Sequence, residues 1–188
     1  HRSLILGALA VGETRIEGLL EGLTAQGHDL GQAPDMGKRL LVERIGWPLA
    51  DYRAALETLP APLRDDLFAA WGAPETDPAA QGDQITFAAI RAGKALIALQ
   101  PERGEVKTRD DDYHDLSRTP RHGYVAFYLW LRAQTDALIH VGAHGTLEWL
   151  PGKAVALSDA CWPEALLGPL PVIYPFIVND PGEAAQAT

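Results

Sequence analysis

Two kinds of hydrophobic pattern occur in the first half of the chain. A continuous apolar run at residues 3–11 predicts a buried strand, and residues 13–26 carry apolar side chains at the spacing of a helix. Three further apolar stripes at helical spacing follow within residues 36–71. Residues 72–82 are rich in proline, glycine and alanine and predict a loop or hinge. The first half should therefore contain one strand followed by a mainly helical segment.

Short apolar runs alternate with helical patterns in the second half. Residues 123–134 are apolar and aromatic and predict a buried helix, and residues 163–167 predict a short one. Short runs that end in polar, glycine or proline residues predict strands at residues 85–90, 94–100, 136–141 and 171–178. Alternating strands and helices predict a three-layer α/β fold with a largely parallel sheet, to which the helical segment is added.

The length and the ends of the chain bear on its domain organisation. With 188 residues the chain is long enough for one well-packed domain or for a piece of a larger protein. It begins with His1, and its final residues start like a helix that nothing yet stabilises. We therefore expect a fragment of a larger protein. Its patterns divide it at residue 82 into segments 1–82 and 83–188, which form either two domains or one.

Charge and composition exclude several classes of protein. The net charge of −9 disfavours a nucleic-acid partner, because no basic surface is available to neutralise phosphates. No apolar run approaches the roughly 20 residues that a membrane-spanning helix needs, so we expect no membrane partner. One cysteine, Cys161, cannot form an internal disulfide, and we expect it to be a packed apolar residue. These features predict a cytoplasmic protein.

The strongest chemical signal is a set of three side chains around the predicted strand at residues 136–141. His140, His144 and Glu148 recur at four-residue intervals, and glycines interrupt the backbone between them. We predict a strand, a tight loop and a short helical turn, with His140 at the carboxyl end of the strand. In open α/β sheets, ligands bind at the carboxyl ends of strands. The pattern predicts a site of two histidines and a carboxylate. A single histidine at a strand end is more often a hydrogen-bonded structural residue, and Glu148 alone could be a solvated helix position.

Other candidate residues also follow predicted strands. Gln100 and Arg103 lie after the strand at residues 94–100, where an arginine can bind a carboxylate through two parallel hydrogen bonds; an ordinary surface turn is the alternative. Asn179 and Asp180 follow the last predicted strand and could also cap the next helix. His114, next to an aspartate in a polar connector, is a further candidate metal ligand that ranks below His140.

Three long segments of the second half carry a resemblance to a known family. The segments are GAHGTLEWLPGK (142–153), CWPEAL (161–166) and YPFIVNDPGE (174–183). They resemble the family that comprises the large subunit of aerobic cobaltochelatase and the porphyrin-binding subunit of magnesium chelatase. Shorter upstream matches at residues 100–104, 113–115 and 126–131 extend the resemblance from about residue 85 to the end of the chain. The sequences of these segments are more similar to the cobalt branch of the family than to the magnesium branch.

The resemblance implies a part in the ATP-dependent insertion of Co²⁺ into hydrogenobyrinic acid a,c-diamide, a step of cobalamin synthesis. The large subunit would hold the tetrapyrrole and the substrate metal, while two AAA+-type partner subunits use ATP and Mg²⁺. Imidazole suits Co²⁺ and a carboxylate can accept the protons of the ring nitrogens. His140 and His144 are therefore candidates for metal handling, and Glu148 for the essential carboxylate. The candidates for binding the polar groups of the substrate are Gln100, Arg103, Lys153, Asn179 and Asp180.

Three alternatives compete with this interpretation. A magnesium chelatase subunit would prefer oxygen ligands, because Mg²⁺ is a hard ion that keeps its waters. A zinc-dependent hydrolase could use His140 and His144 but would need a third ligand and an open water position. The third alternative is a non-catalytic docking module within the chelatase, whose site is incomplete in the isolated segment.

Overall fold

The computed structural model describes residues 3–8, 13–31, 35–104, 117–141, 147–152 and 158–173. Eight strands and six α-helices are formed by these residues, together with two short 3-10 turns, Pro74–Thr76 and Leu147–Trp149. In chain order the elements are β1 (Ser3–Ala8), α1 (Glu13–Ala25), α2 (Met36–Val42), β2 (Ile45–Pro48), α3 (Leu49–Leu56), α4 (Ala61–Trp71), β3 (Ala80–Gln81), β4 (Gln84–Phe87), β5 (Ala89–Ala92), β6 (Ala95–Leu99), α5 (His122–Gln134), β7 (Thr135–Val141), α6 (Trp162–Leu167) and β8 (Val172–Ile173).

A five-stranded sheet in the order β5-β6-β1-β7-β8 determines where the candidate residues lie. β1 pairs in parallel with both β6 and β7, and β7 pairs in parallel with β8. Ala8 stands opposite Leu99 on one side and Val141 on the other, so β6, β1 and β7 end at the same edge of the sheet. We call this edge the carboxyl edge.

The apolar side chains of β6 alternate between two hydrophobic clusters. Ala95 and Ile97 belong to a cluster with leucines of α1 and α2. Leu96 and Ala98 belong to a larger cluster that contains most of α5. Because successive side chains of a strand point to opposite faces, apolar packing covers both faces of the sheet at this strand.

The helix α5 is the most deeply buried helix of the described residues. All of its residues from His122 to Leu131 are buried, as its unbroken apolar and aromatic sequence predicts. It packs against β4 of a second sheet, in which β2 and β3 both pair antiparallel with β4. Among the residues described, no helix combines the length and the apolar character needed to cross a bilayer.

Mixed helix and strand content is confirmed, but the predicted largely parallel sheet is not supported for the chain as a whole. Three of the six described strand pairings are antiparallel, two of them in the second sheet and one between β5 and β6. Antiparallel strands need only a tight turn between them. The turn between β5 and β6 contains Gly93 at φ 56°, where a β-carbon would collide with the carbonyl oxygen of Asp29.

Several predicted boundaries differ from the observed ones. The strand predicted at residues 85–90 is two strands, β4 and β5, and β2 interrupts the segment predicted as mainly helical. β1 lies between β6 and β7 in one sheet, so pairing crosses the predicted division at residue 82. The division into domains and the three-layer arrangement stay predictions.

A buried histidine joins α3 to the start of α5. The hydroxyl of Tyr52 lies 2.8 Å from Nδ1 of His122, and Nε2 of His122 lies 3.0 Å from the carbonyl oxygen of Gly72. A carbonyl can only accept, so Nε2 carries the proton and Nδ1 accepts from the tyrosine. Burial lowers the pKa of His122 and raises that of Tyr52 well above its usual value, which favours this neutral pair.

The lowered pKa of His122 predicts a loss of stability in acid. The unfolded chain takes up the histidine proton near pH 6.5, while the folded chain takes it up only at lower pH. This contribution to the free energy of unfolding is complete above about pH 6.5 and declines as the pH falls towards the folded pKa. Urea unfolding measured between pH 7.5 and pH 5 should therefore show that the free energy of unfolding falls less in His122→Gln than in the unsubstituted chain. The exposed His28→Gln variant is the control, and equal losses in all three proteins would contradict the prediction.

Candidate functional site

The carboxyl edge places His140 close to the start of the loop that carries Gln100. His140 is the penultimate residue of β7, stands opposite Gly7 of β1, and is 2% exposed. Gln100 follows directly after Leu99, the last residue of β6. Because β1 separates β6 from β7 and neighbouring strands lie about 4.8 Å apart, the ends of the two strands are roughly 10 Å apart. That distance is within the span of a macrocyclic ligand.

The side chain of Gln100 is held by two tyrosines of α5. Its Nε2 donates to the hydroxyl of Tyr128 at 2.5 Å and to that of Tyr124 at 3.1 Å. Its Oε1 is buried and has no hydrogen-bond partner among the described residues. Tyr124 and Tyr128 are one helical turn apart, so both hydroxyls lie on the face of α5 that meets the end of β6. The sequence indicates these tyrosines only as core residues; their four-residue spacing is the signal that could have linked them to a common polar partner.

Arg103 connects the loop after β6 to the turn that contains Glu148. Its Nη1 donates to the carbonyl oxygen of Trp149 at 2.5 Å, and Arg103 is only 6% exposed. Glu148 is the central residue of the 3-10 turn Leu147–Trp149. The structure therefore brings Arg103 and the backbone of this turn together, although they are far apart in sequence.

The same turn is anchored on its other side to the start of α6. The thiol of Cys161 donates to the carbonyl oxygen of Gly152 at 2.8 Å, and the backbone N–H of Trp162 donates to the carbonyl oxygen of Pro151 at 3.1 Å. Gly152 has φ 102°, and a β-carbon there would lie 2.7 Å from the Cα atom of Cys161. Cys161 is buried, as predicted, and holds the segment that follows the turn.

An ion pair with a buried carboxylate supports the loop after β6. The guanidinium of Arg121 donates to the carboxylate of Asp77 at 3.1 Å and 3.3 Å, and that carboxylate also accepts from the backbone N–H of Ala79 and Gly123. The backbone N–H of Arg121 donates to the carbonyl oxygen of Arg103 at 2.9 Å. The sequence pattern does not single out Asp77 or Arg121, because each is informative only through its distant partners.

The predicted metal ligands are placed only in part. His140 is described in full, while Glu148 is located through the turn to which it belongs. His144 and His114 lie outside the described residues, as do Lys153, Asn179 and Asp180. No group of three or more histidine, cysteine or acidic side chains able to hold a metal ion occurs within the described part of the chain. The ligand set His140, His144 and Glu148 therefore stays a prediction, and so does the role of the substrate-binding candidates.

Comparisons with known proteins agree on one family. A family model described as CobN/Magnesium Chelatase matches residues 11–188. The chain is 44% identical to the aerobic cobaltochelatase subunit CobN of Pseudomonas aeruginosa, over 90% of this chain and 15% of that protein. It is 38% identical to a magnesium-chelatase subunit of Chlorobaculum parvum, over 56% of this chain and 8% of that protein.

A solved structure also matches. The catalytic subunit of cobaltochelatase from Mycobacterium tuberculosis superposes with a TM-score of 0.79 and 35% identity, covering 99% of this chain and 18% of that one. The chain thus spans less than a fifth of the length of the relatives that it matches. With a family model that matches nearly all of its residues, the chain belongs to the CobN/magnesium chelatase family.

Proposed function

We propose that this chain is a segment of the tetrapyrrole- and metal-binding large subunit of a cobaltochelatase, and that its carboxyl edge takes part in metal insertion. The reaction would be the ATP-dependent insertion of Co²⁺ into hydrogenobyrinic acid a,c-diamide in cobalamin synthesis. The observation that carries the proposal is that the strands β6 and β7, which lead to Gln100 and His140, end at one edge of a sheet. Arg103, three residues after Gln100, donates to the turn that contains Glu148.

The chemistry of metal insertion suits the groups at this edge. The protein must replace the water ligands of the incoming ion, direct the ion to the ring, and accept protons from the ring nitrogens. Imidazole is a good ligand for Co²⁺, so we assign metal handling to His140 and His144. A carboxylate can accept protons, so we assign proton transfer to Glu148. Gln100, Arg103, Lys153, Asn179 and Asp180 are the candidates for contact with the substrate.

We further propose that two AAA+-type partner subunits supply the ATPase, with Mg²⁺ as the cofactor of ATP. No nucleotide-binding loop of the P-loop type occurs in this sequence. ATP hydrolysis by partners would then act on the large subunit by changing its conformation, while the carboxyl edge provides the groups that meet the substrate.

Magnesium chelation is the second candidate, because magnesium-chelatase subunits are also among the relatives. The higher identity to the cobaltochelatase subunit and the two imidazoles favour cobalt. The family match also favours either chelatase over a zinc-dependent hydrolase.

The test uses the complete large subunit that carries this sequence, together with its ATPase partners. We expect ATP-dependent insertion of Co²⁺ into hydrogenobyrinic acid a,c-diamide. The change in the absorption spectrum of the corrinoid measures this insertion. Parallel reactions offer protoporphyrin with Mg²⁺, and controls omit ATP. Insertion of Mg²⁺ into protoporphyrin without reaction of the corrinoid would assign the protein to the magnesium branch. Absence of insertion into either ring would contradict the proposed function.

A further inference from the structure

We propose that Arg103 is a positioning residue: it holds the turn of Glu148 at the carboxyl edge and thereby controls the rate of metal insertion rather than the affinity for the tetrapyrrole. This inference rests on the proposed function. It differs from the sequence-based prediction for Arg103, which is direct contact with the polar groups of the substrate.

The guanidinium of Arg103 is enclosed and is hydrogen-bonded to the backbone of the turn. Arg103 is only 6% exposed, and its Nη1 donates to the carbonyl oxygen of Trp149 at 2.5 Å. A hydrogen bond from a charged donor is shorter and stronger than one between neutral groups. A side chain that binds the charged groups of a substrate has to present its donors at an accessible surface, whereas this one is enclosed against the backbone of the turn.

The backbone of Arg103 is itself held in place. The backbone N–H of Arg121 donates to the carbonyl oxygen of Arg103 at 2.9 Å, and the guanidinium of Arg121 is paired with Asp77. The side chains of that ion pair are 15% and 3% exposed. The side chain of Arg103 thus extends from a backbone that the pair of Arg121 and Asp77 holds in place. The reach of this side chain therefore determines where the turn lies.

The two ends of the segment 147–152 are held by different residues. Arg103 contacts its first half at Trp149, while Cys161 and Trp162 contact its end at Gly152 and Pro151. The segment also contributes two buried leucines to the core, Leu147 and Leu150. Glu148 lies in the part that Arg103 supports, so loss of the Arg103 contact should release this part while the end remains attached.

The kinetic consequence follows from geometry. Displacement of a reacting group by about 1 Å can reduce a rate by about 100-fold. Displacement of a reacting group lowers kcat. Loss of a direct contact that is equally strong in the ground state and the transition state raises KM instead. The two roles of Arg103 therefore predict different kinetic effects.

The experiment compares Arg103→Gln and Arg103→Lys in the complete large subunit with its ATPase partners. We expect Arg103→Gln to lower kcat for Co²⁺ insertion by about 10- to 100-fold while KM for the tetrapyrrole changes by less than about threefold. Lysine can donate one hydrogen bond to the carbonyl oxygen of Trp149, so Arg103→Lys should recover part of kcat. The control is Arg91→Gln, because the exposed Arg91 of β5 donates to the side chain of Gln134 at 3.1 Å and should leave both constants unchanged when it is replaced.

Hydrogen–deuterium exchange gives a second reading that does not depend on catalysis. Amides of residues 147–150 should exchange faster in Arg103→Gln than in the unsubstituted subunit, and those of α5 should not. A raised KM with unchanged kcat, or unchanged exchange at 147–150, would overturn the positioning role. If Arg103→Gln does not fold, the same readings on Arg103→Lys decide between the two roles. If the unsubstituted subunit inserts no metal, the proposed function fails, and the exchange result still tests the position of the turn.

Discussion

Substitution of Asp77 by alanine is expected to lower the free energy of unfolding of the chain by about 3 to 5 kcal/mol. The carboxylate of Asp77 is almost fully enclosed and pairs with the guanidinium of Arg121, whose side chain is 15% exposed. Removal of the carboxylate leaves this largely enclosed charge without its partner. It also removes the acceptor of two backbone N–H groups, those of Ala79 and Gly123, the second of which belongs to the first turn of α5.

Urea or thermal unfolding of the chain measures this effect. Asp66→Ala is the matched control, since Asp66 is exposed on α4 and alanine favours helix, so its stability should change by less than about 0.5 kcal/mol. A loss in Asp77→Ala no larger than in the control would show that the ion pair contributes little. Arg121 also contacts the backbone of Arg103. Asp77→Ala should therefore loosen the loop after β6 at a lower urea concentration or temperature than that at which the rest of the fold unfolds.

Local sequence patterns predict the helices and strands in which buried apolar residues follow one another along the chain. α5 is predictable because its apolar and aromatic residues leave no polar face, and its bounds His122–Gln134 differ from the prediction by one residue at the start. β7 is predictable as a short apolar run, and with it the position of His140 near a strand end. These features depend on neighbouring residues, so the sequence pattern is sufficient to find them.

Features that depend on distant residues could not be predicted in this way. β2 is a four-residue strand that ends in Pro48, and only its pairing with β4 makes it a strand. Gln100 is predicted as a polar group at a strand end, but its tyrosine partners follow from the packing of α5 against the sheet. Asp77 lies in a segment predicted as a loop or hinge, and its role comes from an arginine 44 positions away.

Substitution of Glu148 by glutamine is expected to have the largest effect on activity. Glutamine has nearly the same size and keeps an oxygen acceptor, but it cannot take up a proton. A group that transfers protons typically contributes a factor of about 100 to 10,000 to the rate. Since the turn Leu147–Trp149 is held by Arg103 through its backbone, the substitution should not move the turn. We therefore expect metal insertion to fall by at least about 100-fold while the tetrapyrrole still binds.

The central claim is that the carboxyl edge of β6, β1 and β7 carries out metal insertion, and the rate of Co²⁺ insertion by the complete subunit with Glu148→Gln tests it most directly. Glu164→Gln is the matched control, because it makes the same change of side chain on the helix α6. The hydrogen bond that Glu164 accepts from the N–H of Gly168 involves its backbone carbonyl, so the substitution keeps this bond. The account predicts a loss of at least about 100-fold for Glu148→Gln, unchanged affinity for the tetrapyrrole, and normal activity for the control. Insertion by Glu148→Gln at a rate within about twofold of the unsubstituted subunit would contradict it, since removal of a proton-transfer group cannot have so small an effect.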